Sequence, residues 1–173
     1  GPDRRRDDGR PGSAEMFDPP NSLRMKAKEK LSTEVVTRRL EGELKQAREK
    51  LQCEKLRRDS FQICILWRLL QDQRPGAAPP DMDKLIELAR SIEQRCRDTE
   101  FHPAVEWCES ILAAAEGLNM GVDRNASMHL LGHAALSMHL IFHPEKTPAE
   151  QIAEIDATVA LMRARNQSQA MAS

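Results

Sequence analysis

Between Leu23 and Asp72 the chain carries no proline and a single glycine, Gly42. Nothing in this stretch breaks a helix. Val36, Leu40, Leu44, Ala47 and Leu51 recur at steps of four, four, three and four, the spacing of one helical face. Three Glu-to-Arg/Lys pairs at i,i+4 (Glu34–Arg38, Glu41–Lys45 and Glu54–Arg58) are placed to add roughly a few tenths of a kcal/mol each. The period slips near Cys53–Lys55 and resumes as Leu56, Ser60, Ile63, Trp67 and Leu70, an approximate heptad. A helix of about 50 residues reaches on the order of 75 Å. A chain of 173 residues supports one ordinary domain, or a small domain plus an extended element. It cannot cover such a rod, so the charged first half is expected to project, to pair with another chain or to fold back.

The segment 61–70, Phe-Gln-Ile-Cys-Ile-Leu-Trp-Arg-Leu-Leu, is apolar nearly all round. It should be buried, either in an oligomer seam or against the C-terminal half, because fully burying one such side chain is worth about 1.5–3 kcal/mol. Residues 73–80 then form a linker in which three prolines and a glycine break any helix. Ahead of the rod, residues 1–22 mix Arg and Asp with Gly, Pro and Ser and show no apolar period, so they read as a disordered leader. Gly1-Pro2 resembles the scar left by protease removal of a tag.

After the linker, four helices of ordinary length are expected, making a small antiparallel bundle over 81–165 that would fold without the rod, followed by a frayed tail at 166–173. The first, about 82–98, starts at an Asp81 cap and presents Leu85, Leu88, Ala89, Ile92 and Cys96. The second starts with Pro103 and runs to a stop at Gly117, presenting Ala104, Cys108, Ile111, Leu112 and Ala115. The third, about 124–142, ends before Pro144. The fourth opens on Thr147-Pro148-Ala149-Glu150, a capping box, and presents Ile152, Ile155, Val159 and Met162. Aromatic residues make up only 3% of the chain, Tyr is absent, and Ala, Leu, Glu, Arg, Gln and Met dominate. A sheet protein uses more aromatic and β-branched residues, so the composition agrees with an all-α fold: a long coiled-coil-like helix, then four short helices.

The third helix holds His129, His133, His139 and His143, four of the five histidines, with no charged residue beside them over 126–143. At about 100° per residue they occupy a stripe roughly 120° wide. Neutral imidazole is a common transition-metal ligand, and histidine also serves as a pH switch. One straight helix cannot bring all four to one tetrahedral ion, since its outer two are about 21 Å apart along the axis. At best there are two half-sites, each needing ligands from elsewhere, such as His102, Glu106, Glu109 or a thiol. Leu131, Ala135, Met138 and Phe142 make the better core face. The four histidines are therefore expected at a boundary, hydrogen-bonded or solvated, and no bound metal or other cofactor is expected.

Residues 23–75 carry 14 Lys+Arg against 8 Asp+Glu, a local +6, while residues 76–173 carry 8 against 14, a local −6. Such halves can pair with each other or steer separate partners. Segment 24–58 is the candidate for phosphate contacts, yet its cations alternate with Glu, without a basic block or an aromatic stacking platform. Cys53, Cys64, Cys96 and Cys108 include no CxxC pair, which fits free thiols in a cytoplasmic protein better than a zinc ribbon or disulfide framework. Cys53 and Cys64, eleven apart, share a helical face to within about 20° and would be placed to cross-link two parallel rods. No membrane-spanning run is found. There is no GxSxG, HExxH, Gly-rich phosphate loop or EF-hand loop, and a Cys/His scheme drawn from His102, Glu106 and Cys108 arises easily by chance.

The sequence therefore predicts a non-enzymatic helical interaction or adaptor protein, homo-oligomeric through its long helix and binding a protein partner. Val36, Leu40, Leu44 and Leu51, with Phe61 and Trp67 near the join, are the expected contact residues. The rival expectations are a dimeric nucleic-acid-binding regulator using 24–58 and a metal- or pH-responsive sensor built on the histidine stripe.

Overall fold

The computed structural model describes residues 19–76 and 79–172, with side chains from Ser22 onward. The protein is all-α. Among the described residues five helices follow in order, α1 Pro19–Gln71, α2 Met82–Cys96, α3 Pro103–Met120, α4 Arg124–Phe142 and α5 Pro148–Ala172, and there is no strand. Leader residues 1–18 lie outside the described residues. The chain divides into two compact units, residues 1–50 and 51–173.

In the first unit the described residues belong to α1, and every side chain from Ser22 to Lys50 is exposed. Its expected ion pairs do not close. Neither Glu34–Arg38 nor Glu41–Lys45 forms among the described residues, and Glu54–Arg58 in the second unit is open as well. Pairs this exposed gain little Coulomb energy in water and cost side-chain entropy. The i,i+4 pairs that do form are Lys55–Asp59, Arg68–Asp72 and Glu93–Arg97, all in the second unit.

The second unit has one core, and residues 51–71 of α1 are part of it. Leu56, Ile63, Cys64, Ile65, Trp67 and Leu70 are buried together with Leu85 and Ile92 of α2, Cys108 and Ile111 of α3, Leu131, Met138 and Phe142 of α4, and Ile155 of α5. The apolar segment 61–70 is thus covered by its own chain, and helices 81–165 share their core with it instead of closing on themselves. Polar contacts fasten the same stretch. Arg57 Nε donates to the Phe142 carbonyl at 2.7 Å, Cys64 Sγ to the Ala135 carbonyl at 3.5 Å, and Arg68 Nε to Asp156 at 2.8 Å. Arg124 in turn donates to the Leu70 carbonyl at 3.2 Å.

Local chemistry sets the helix ends. Asp81 accepts from the Lys84 amide at 2.9 Å and Asp123 from the Ala126 amide at 3.1 Å, each satisfying an amide that the first turn leaves free. The capping box at α5 forms in both directions. The Glu150 amide donates to Thr147 Oγ1 at 3.1 Å, and the Thr147 amide to Glu150 Oε1 at 2.9 Å. Three details differ from the sequence reading. α3 continues through Gly117 and stops at Gly121, which takes a left-handed φ of 70° while Val122 N–H reaches back to the Gly117 carbonyl at 3.0 Å. Gly117 instead admits Ser127, whose Oγ would stand 2.5 Å from any Cβ added there. α5 runs on to Ala172, past Asn166, and it buries Gln151, Ile155 and Val159, whereas Met162 is exposed.

Candidate functional site

Val36, Leu40 and Leu44 keep 54%, 53% and 57% of their surface exposed on the first unit. Leu51, on the second, is 67% exposed. A long helix that shows large aliphatic side chains at i,i+4 spacing to water has a face suited to packing, and none of the described residues covers it. The two aromatic candidates fare differently. Phe61 is half-buried, packed 5.6 Å from the ring of His139. Trp67 is only 8% exposed and lies against Gly132 of α4, so it packs in the core of the second unit. The apolar spacing that marks Trp67 is common to an intermolecular seam and to an intramolecular core.

α4 spreads the histidines along its length as their spacing requires, but the stripe is not uniform. His129 and His133 are exposed, His143 is half-buried, and His139 is fully buried, contrary to the boundary position expected for all four. The cause is Gln151 of α5. Its side-chain amide donates to the Leu136 carbonyl at 3.0 Å and to His139 Nδ1 at 2.8 Å, closing α5 over that part of the stripe. With Nδ1 accepting, the neutral ring carries its proton on Nε2, and that atom has no hydrogen-bond partner among the described residues. Burial first, then the positive ends of His143 and Lys146, lower the His139 pKa from 6.5 to about 4. The His143 ring is 4.9 Å away, and its Nδ1 meets Glu145 at 2.9 Å. Among the described residues no three His, Cys, Asp or Glu side chains converge as a metal site.

The exposed pair faces a groove of about 550 Å³ between α1 and α4, lined by Trp67, Gln71, Arg124, His129, Gly132 and His133 among others. His133 also meets Trp107 edge to face, with ring centroids 5.3 Å apart. The thiols are all free. Burial raises Cys64 strongly, Cys96 to about 11 and Cys108 to about 12, so these three are thiols and poor nucleophiles at neutral pH. Cys108 contacts Met138 Sδ at 3.4 Å, while His102 Nδ1 is engaged with the Thr99 carbonyl at 3.0 Å, so these contacts do not build a Cys/His pair. Cys64 is buried, which removes it from any cross-link between rods, and Cys53 is half-buried. No helix among the described residues is long and apolar enough to cross a membrane.

Comparison of the chain with known proteins finds no matching family model, no matching curated protein and no matching solved structure. Sequence reasoning missed Gln151 and Gly132. The signal for Gln151 was its place one turn into α5, four residues before Ile155 and eight before Val159 on the buried face.

Proposed function

We propose that this is a non-enzymatic helical interaction protein that self-associates through α1 and holds a protein partner on the paired helices. One observation carries the reading: Val36, Leu40 and Leu44 form a face, more than half exposed, that none of the described residues covers. The occupant that fits is the same face of a second copy. Glu41 and Glu43 border it alongside Arg48 and Lys50, and a helix flanked by both signs can pair with itself. Apolar anchors supply affinity, and the flanking charges set register and partner choice.

Light scattering on the wild type and on the double variant Leu40→Asp, Leu44→Asp tests this. The wild type is expected to be oligomeric at micromolar concentration and the variant to be smaller, since two carboxylates in a buried seam cost several kcal/mol, roughly. A monomeric wild type refutes self-association. Strong binding of random-sequence DNA that weakens steeply with salt would replace the proposal with a phosphate-binding role for 24–58.

A further inference from the structure

A second cavity, of about 320 Å³, lies around the buried histidine, within the second unit. Its α1 wall holds Glu54, Arg57, Arg58 and Phe61. Facing them are His139 and His143 of α4 and its C-terminal cap, then Lys146 and Glu154 from the next turn and α5. Lys146 and Glu154 pair with each other, and Glu145 is engaged by His143. Arg57 gives its Nε to the Phe142 carbonyl, which leaves its terminal nitrogens without a partner among the described residues. Arg58 has no ion pair at all among them, its expected partner Glu54 included. Two guanidinium groups therefore face one unpaired carboxylate.

The floor supplies an independent observation. His139 is completely buried, lines this cavity and is fixed at Nδ1 by Gln151, yet among the described residues its Nε2 is the one buried side-chain nitrogen or oxygen lacking a partner. A buried donor left unmet loses its hydration without replacement, so such a group calls for an acceptor. A metal ion does not fit, because Nε2 bears the proton and three cationic side chains surround the site. An oxyanion does. Donors arrive from α1, from α4 and from the α4–α5 turn, which suits a tetrahedral group better than a planar carboxylate.

We propose that this cavity binds a phosphate-type oxyanion, held by Arg57, Arg58 and Lys146 and capped by the Nε2–H of His139. The site is separate from the exposed face of α1 and does not rest on self-association. Free phosphate and a phosphorylated side chain of a partner present the same chemistry.

Titration calorimetry of the full chain with inorganic phosphate, with N-acetyl-phosphoserine and with acetate, at constant ionic strength, tests the proposal. Saturable one-to-one binding of the phosphates, with acetate at least ~10-fold weaker, is expected. Tighter binding of the ester than of inorganic phosphate supports a phosphorylated partner, and equal binding supports the free ion. Arg58→Gln, at an exposed position, should fold normally and weaken binding by about 10-fold or more. Nitrogen-15 spectra of the imidazoles should show the His139 Nε2 resonance moving with the same titration midpoint. Absence of saturable binding, equal binding of acetate, an unaffected Arg58→Gln or an unmoved His139 signal would each overturn the assignment.

Discussion

Replacing Gly132 with alanine should destabilise the protein even though alanine is the better helix former. A Cβ built at Gly132 lies 2.6 Å from Trp67 Cε2 and Nε1 and 2.7 Å from Cζ2. Those atoms belong to a rigid indole in a packed core, so the ring or the helix must move. Overpacking of this kind costs about 1–3 kcal/mol, while exchanging Gly for Ala inside a helix returns about 0.8–1 kcal/mol. The net expectation is a loss of up to about 2 kcal/mol, set against the roughly 5–15 kcal/mol that holds a domain together. Gly117→Ala provides the comparison. There the nearest atom is the Ser127 hydroxyl, which can rotate away at the expense of its 3.2 Å bond to the Val122 carbonyl. Losing that bond costs about 0.5–1.5 kcal/mol, close to the helix gain, so near-neutrality is expected. Urea unfolding followed by circular dichroism gives both values, and a cycle with Trp67→Phe should show a coupling above about 0.5 kcal/mol. A Gly132→Ala protein more stable than the wild type by the full helix gain, or zero coupling, would mean that Trp67 is not lodged against α4.

Four further outcomes are expected. Leu40→Asp with Leu44→Asp should reduce particle mass in light scattering without changing the thermal transition of the second unit, because both positions are exposed. A fragment 51–173 should melt cooperatively, whereas 81–165, deprived of Ile63, Cys64, Trp67 and Leu70, should show helical dichroism without a cooperative transition. The folded-state pKa of His139 is below its ordinary value, so the unfolded chain binds the proton first and stability falls as pH drops from 6.5 towards about 4. That component amounts to at most about 3 kcal/mol, and His139→Leu should remove it from the difference in urea midpoint between pH 7 and pH 4.5. Zinc, nickel or copper at modest excess should shift the melting temperature by no more than about a degree or two, and a stoichiometric metal lost in His129→Gln with His133→Gln would contradict this.

The helical class was legible because apolar spacing and caps speak locally: Asp81 and the Thr147–Glu150 box act within four residues of themselves. What covers a face is not a local property. The stripe through Leu56, Ile63 and Leu70 says which side of α1 is buried, and a partner helix or α4 would satisfy it equally, which is why Trp67 was assigned to an interface. The four histidines look equivalent as a pattern, but Gln151 covers one and leaves two in water. Gly117 reads as the stop of α3 in the sequence, whereas the left-handed φ that ends the helix falls at Gly121.

The three buried thiols sit on three different helices: Cys64 on α1, Cys96 on α2 and Cys108 on α3. A thiol-modifying reagent can reach them only when their surroundings open, and their raised pKa values hold background reaction down. Each cysteine is therefore a clock for its own helix. If the core opens as one unit, all three will be labelled at one rate. If α1 detaches first, Cys64 will run ahead of the other two, and the order in which the bundle comes apart can be read from the mass of three peptides.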